Sequence, residues 1–126
     1  MIQTADAGTD LKKSVLLVED DPAVGYFLAR VLRRAGYGVG QAADGESGLL
    51  IFRSRSWDVV IVDRMMPNLN GEQLADEIRK ETSDTRIILI TGFPHRVKRP
   101  QLFDAIFSKP FAITDLLACV SKLVPV

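Results

Sequence analysis

The sequence predicts an α/β fold: a parallel sheet with helices on both faces. Short apolar runs alternate with amphipathic stretches along almost the whole chain, the pattern of strands joined through helical crossovers. Two runs, Val59-Val60-Ile61-Val62 and Ile87-Ile88-Leu89-Ile90, are apolar throughout and rich in β-branched residues. Strands buried on both faces of a parallel sheet have that composition. With 126 residues the chain has one domain's length, enough to bury a core without staples.

Residues 1–13 lack periodicity and are expected to form a flexible lead-in to a single domain over 14–124. Val15-Leu16-Leu17-Val18 is the first strand. It runs into Glu19-Asp20-Asp21, with Asp21 placed to cap a helix that opens on Pro22. Val24, Phe27, Leu28, Val31, Leu32 and Ala35 recur at helical spacing and predict its inner face; Arg30, Arg33 and Arg34 take the wet face and Gly36 ends it. A weaker strand follows over 37–42. Asp44 caps a second helix to about Arg53, with Leu49 and Phe52 inward. Trp57 is expected to be a partly buried anchor before the third strand. Asn70-Gly71-Glu72-Gln73 opens a third helix with a capping box, burying Leu74, Ala75 and Ile78. Residues 104–107 predict a short fifth strand, and Ile113, Leu116, Leu117, Val120 and Leu123 a final helix in which Cys119 is a small core residue.

Composition narrows the function. Sixteen basic residues balance sixteen acidic ones, so the chain carries no electrostatic footprint for direct nucleic-acid binding or for an anionic membrane. A single cysteine gives no internal disulfide, no apolar run approaches membrane-spanning length, and no signal-peptide pattern opens the chain. The expected location is cytoplasmic.

Ligands of open α/β sheets sit beyond the carboxyl ends of the strands. Glu19 and Asp20 follow the first run, Asp63 the third, Thr91 the fourth and Lys109 the fifth. Parallel, adjacent strands would bring three carboxylates, a hydroxyl and an ammonium to one rim. Clustered carboxylates repel, and a hard cation such as Mg²⁺ relieves this with oxygen ligands. An Asp beside such a cation is a competent nucleophile towards phosphorus, with Thr91 and Lys109 available for the phosphoryl oxygens.

These residues resemble the receiver domains of bacterial two-component response regulators. The resemblance covers about 14–124 and rests on Val15-Leu16-Leu17-Val18-Glu19-Asp20-Asp21-Pro22, Val62-Asp63-Arg64-Met65-Met66-Pro67 with Gly71, Ile90-Thr91-Gly92, and Lys109-Pro110-Phe111. It implies a flavodoxin-like, doubly wound domain with a five-stranded sheet in the order 2-1-3-4-5. Asp63 becomes the phosphoacceptor, and Mg²⁺ the cofactor, held by Glu19, Asp20, Asp63 and the backbone carbonyl of Met65. Thr91 and Lys109 become the phosphoryl-binding pair, with a cis Lys109–Pro110 bond. The implied partners are a sensor histidine kinase or histidine phosphotransfer protein, which donates the phosphoryl group, and an unknown downstream protein. The chain is not expected to be a dedicated enzyme. It reads as a stand-alone receiver, or as part of a hybrid kinase or longer regulator. The alternative is a receiver-like interaction module that works without phosphorylation.

Three departures from the family pattern stand out. Ile106 occupies the position three before Lys109 where the family usually has Tyr or Phe, and alternation turns Phe107 to the opposite face. The stretch between Thr91 and Lys109 is short and weakly periodic, predicting a fourth helix that is short, displaced or missing and a nonstandard partner surface. Met65 and Phe93, two residues beyond Asp63 and Thr91, position no water, which predicts slow loss of the phosphoryl group. His95 and the basic loop 96–99 are expected to be solvated.

Overall fold

The computed structural model describes residues 12–63 and 69–126. Strands β1 (Ser14–Val18), β2 (Gly38–Ala42), β3 (Val59–Asp63), β4 (Arg86–Thr91) and β5 (Ala105–Ser108) form one parallel sheet in the order β2-β1-β3-β4-β5. Among the described residues, four α-helices connect or follow them: α1 (Pro22–Arg34), α2 (Gly45–Ser54), α3 (Gly71–Glu81) and α4 (Ile113–Leu123). This is the doubly wound order that the resemblance implied.

Alternation along the strands builds two cores. Leu16, Val18, Val60, Val62, Ile87 and Leu89 face Phe52 of α2 and Leu74, Ala75 and Ile78 of α3. Val15, Leu17, Val59, Ile61, Ile88 and Ile90 face Leu28, Ala29 and Leu32 of α1 and Leu116 and Val120 of α4. Because β1, β3 and most of β4 are buried on both faces, their uniformly apolar composition follows.

The helix starts follow their capping chemistry. Asp21 accepts from the N–H groups of Ala23 (3.0 Å) and Val24 (3.3 Å), Asp44 accepts from Ser47 N–H (2.8 Å), and Asn70 and Gln73 form the reciprocal capping box at 2.9 Å in each direction. Gly36 ends α1 with φ at 106°, a left-handed conformation that a side chain would strain.

Some elements differ from the sequence reading. In α1 the buried stripe is Gly25, Leu28, Ala29 and Leu32, whereas Val24 and Phe27, expected inward, are exposed. The helix lies close to the sheet: a Cβ on Gly25 would meet Gln41 Nε2 at 3.4 Å and Glu19 Cγ at 3.7 Å. Small residues therefore define the contact stripe, and the bulky residues beside it point out. β5 runs from Ala105; at Asp104 the backbone N–H still donates to Ile87 O (2.8 Å), while the carboxylate accepts from Ile87 N–H (2.8 Å) and pairs with Arg79 (2.9 Å). Trp57 is more buried than expected, 8% exposed, and donates to the Ile51 carbonyl at 3.0 Å.

Between β4 and β5 there is no α-helix, only two 3₁₀ turns at Pro94–Arg96 and Pro100–Leu102. Prolines at the start of each turn and the adjacent Lys98 and Arg99 break any helical apolar stripe, and the connection packs on the core through Val97, Leu102 and Phe103 instead. Arg79 of α3 closes the gap, donating to Leu102 O (3.0 Å), Thr85 O (2.6 Å) and Asp104 Oδ2 (2.9 Å). Ile106 is consequently 36% exposed, on the sheet face that a connecting helix would cover.

Candidate functional site

Register decides where the polar residues meet. Val18 pairs with Val62, Asp63 with Ile90, and Thr91 with Ser108, so the ends of β1, β3, β4 and β5 fall within two residues of one another in register. The residues at those ends (Asp63, Thr91) and just past them (Glu19, Asp20, Lys109) share one rim. One ligand oxygen from each of Glu19, Asp20 and Asp63 lies within 4.8 Å of the others, with Glu19 and Asp63 buried and Asp20 exposed. Lys109 Nζ reaches Asp63 Oδ2 at 3.0 Å, and the Lys109–Pro110 bond is cis. Thr91 is fully buried, its Oγ1 accepts from Phe93 N–H at 3.0 Å, and its carbonyl accepts from Lys109 N–H at 2.8 Å. Met65 lies outside the described residues.

The charges follow from that packing. Burial pushes the Glu19 carboxyl up from 4.5 to about 7; the neighbouring Asp63 carboxylate adds to the rise, and the Asp21 N–H, donating at 3.1 Å, opposes it. Burial alone would lower the Lys109 ammonium, but the hydrogen bond to Asp63 and the charges of Asp63, Glu19 and Asp20 outweigh it and raise the group. Three acids and one lysine thus hold one another in a half-dry rim. A hard divalent cation suits that donor set of carboxylate oxygens. Lys109 sits where it can neutralise charge added to Asp63.

Known proteins identify the arrangement. The response regulator receiver domain family matches residues 15–121. The chain belongs to that family. It is a receiver domain of the two-component type. It is similar to the response regulator TrrA of Thermotoga maritima in complex with Mg²⁺ and beryllofluoride, at 36% identity and a TM-score of 0.83, covering 89% of this chain and 99% of that one. TrrA bound to the histidine kinase ThkA is also similar, at 35% identity and a TM-score of 0.81 over 89% and 98% of the two chains. Among curated relatives, the probable transcriptional regulatory protein SilR of Salmonella typhimurium is 35% identical over 86% of this chain and 50% of its own length. The chain spans about half the length of the curated relatives it matches. No described helix is long and apolar enough to cross a membrane.

The structure thus brings together five of the six residues singled out in the sequence: Glu19, Asp20, Asp63, Thr91 and Lys109. Sequence reasoning missed two supports. Asp21 was read only as a helix cap, yet its own N–H holds the Glu19 carboxylate. Gly25 admits α1 to Glu19 at van der Waals range. The Gly25 signal was present as a small residue in step with Leu28, Ala29 and Leu32. The Asp21 contact has no sequence signature, because any residue but proline supplies an N–H.

Proposed function

We propose that Asp63 accepts a phosphoryl group from a phosphohistidine of a sensor histidine kinase or histidine phosphotransfer protein, and that the acyl phosphate changes affinity for a downstream protein. The carrying observation is the buried Asp63 carboxylate, with Glu19 and Asp20 on one side and the Lys109 ammonium 3.0 Å away. An Asp63 oxygen forms the bond to phosphorus as the phosphorus–nitrogen bond breaks, and the departing imidazole keeps the electron pair and takes a proton. Lys109 then passes from the carboxylate to a phosphoryl oxygen, and the Thr91 hydroxyl, whose proton is not used on Phe93, donates to another. Glu19, Asp20 and Asp63, with the Met65 carbonyl that the family resemblance assigns, would hold Mg²⁺, which neutralises charge building on the transferred oxygens.

The ThkA–TrrA complex and the Mg²⁺–beryllofluoride form of TrrA support this reading. The domain occupies 14–124, and as a phosphoacceptor it needs no turnover of its own. Calorimetric Mg²⁺ titration tests the metal assignment. Asp20→Asn should weaken binding by about tenfold or more with an unchanged melting profile; wild-type affinity in that variant would remove Asp20 from the site.

A further inference from the structure

Among the described residues away from the chain ends, three large apolar side chains stand furthest into solvent: Tyr26 (65% exposed) and Phe27 (52%) on α1, and Leu50 (70%) on α2. The Asp63 site uses none of them. Scattered singly, such residues need no explanation, but here each lies in a patch, and the two patches are opposite in charge. We propose that the α1 face of one chain docks into the groove between α2 and α3 of a second copy, head to tail.

The groove holds about 350 Å³. Leu49, Leu50 and Leu69 give it an apolar lining, and Glu46, Arg53 and Glu77 complete the wall. Arg53 is already neutralised by Glu81 at 2.7 Å, and Glu77 holds Lys80 at 3.3 Å. Glu46 meets no cation among the described residues, so the unspent charge beside the leucines is negative.

The α1 face has the complementary make-up. Its buried stripe is Gly25, Leu28, Ala29 and Leu32, so helical spacing puts Tyr26, Phe27, Arg30 and Arg34 on the outer side. Arg33 is engaged, donating to Val39 O at 3.1 Å, but neither Arg30 nor Arg34 meets an acid among the described residues. Phe27 is therefore an exposed ring with two unspent guanidinium groups one and two turns further along. The same segregation holds for whole helices: α1 has three arginines and no acid, whereas acids outnumber bases in α2 and in α3 taken together. Seated in the groove, Phe27 covers Leu49 and Leu50, and the arginines reach towards Glu46.

The two patches lie on opposite sides of the sheet. α1 packs on the face of Val15, Leu17 and Ile61, while α2 and α3 pack on that of Leu16, Val18 and Val60. A chain cannot satisfy itself, and two copies in contact satisfy one groove and one α1 face, leaving the others open. The contact is heterologous and extends from copy to copy. Apolar burial supplies the attraction, and the opposed charges set the register and make it sensitive to salt.

Sedimentation velocity on the full chain tests this. The average mass of the wild-type protein should rise with concentration up to about 1 mM, and rise less in high salt. Phe27→Glu and Leu50→Glu should each weaken association by about tenfold or more; both positions are exposed, so the fold tolerates either change. Mixed together, the two variants should form a one-to-one dimer that neither forms alone, because each keeps the surface the other has lost. A wild-type chain that stays monomeric overturns the proposal. Association lost in Phe27→Glu but kept in Leu50→Glu also overturns it, since α1 then pairs with something other than the groove. Failure of the mixed variants to combine does the same.

Discussion

Replacing Arg79 with alanine should be among the more destabilising single changes outside the apolar core. Its guanidinium ties α3 to the connection that lacks a helix through Leu102 O and Asp104, and to the turn before β4 through Thr85 O. Hydrogen bonds from a charged donor contribute about 1.5–3 kcal/mol each when shielded. Here the side chain is 21% exposed, which screens the Asp104 contact towards the value of about 0–1 kcal/mol typical of surface pairs. Asp104 also keeps Ile87 N–H at 2.8 Å and Arg86 at 3.5 Å, so it is not stranded. The net loss is about 3 kcal/mol, nearly all from the Leu102 and Thr85 carbonyls. With a urea slope of roughly 1.5 kcal/mol/M, the unfolding midpoint should fall by about 2 M. Arg79→Lys should recover little, because an ammonium cannot serve three acceptors from one planar fork. Arg53→Ala is the comparison: it removes the exposed Arg53–Glu81 pair and should cost less than about 1 kcal/mol. If the two alanine variants unfold at the same urea concentration, Arg79 does not clasp α3 to the turn before β4 and the β4–β5 connection as argued.

Other outcomes follow from the same contacts. Glu19 takes up a proton more readily folded, at about 7, than at its ordinary 4.5, so in Mg²⁺-free buffer the folded state binds more protons across that window and stability should fall as pH rises through it. Glu19→Gln should flatten that slope in denaturant titrations at several pH values; an unchanged slope assigns it elsewhere. Tyr37→Phe removes the hydroxyl that donates to Val124 O at 2.9 Å in a buried setting, and should cost about 1–2 kcal/mol in thermal or urea unfolding. The phosphorylated protein should lose its phosphoryl group over minutes or longer in Mg²⁺ buffer, since Met65 and Phe93 offer no group to position water; a half-life of seconds contradicts this.

Much of the fold was legible because strand burial and strand composition are the same fact here. A strand covered on both faces has no polar positions to hide, so Val59–Val62 and Ile87–Ile90 marked the sheet centre directly. The site was legible for a related reason: in a parallel sheet the residue after each apolar run falls on a common rim, so Asp63, Thr91 and Lys109 could be placed without coordinates. The absence of an α-helix between β4 and β5 also showed in the sequence, through Pro94 and Pro100 and the lack of an apolar stripe between them. The inner face of α1 did not show correctly. Hydropathy weights Val24 and Phe27 above Gly25 and Ala29, but close packing selects by size, so the stripe rotates towards the small residues. Nor was the Arg79 clasp visible: two of its three acceptors are backbone carbonyls, which every residue type carries.

The central claim is that Asp63 carries the phosphoryl group, and the most direct measurement is intact mass after incubation with acetyl phosphate and Mg²⁺. The structure predicts one phosphoryl adduct, absent from Asp63→Asn and from a sample held in EDTA. An adduct that persists in Asp63→Asn would contradict the assignment. Failure of the wild-type protein to form an adduct or to bind Mg²⁺ with beryllofluoride would contradict the phosphoacceptor account as a whole.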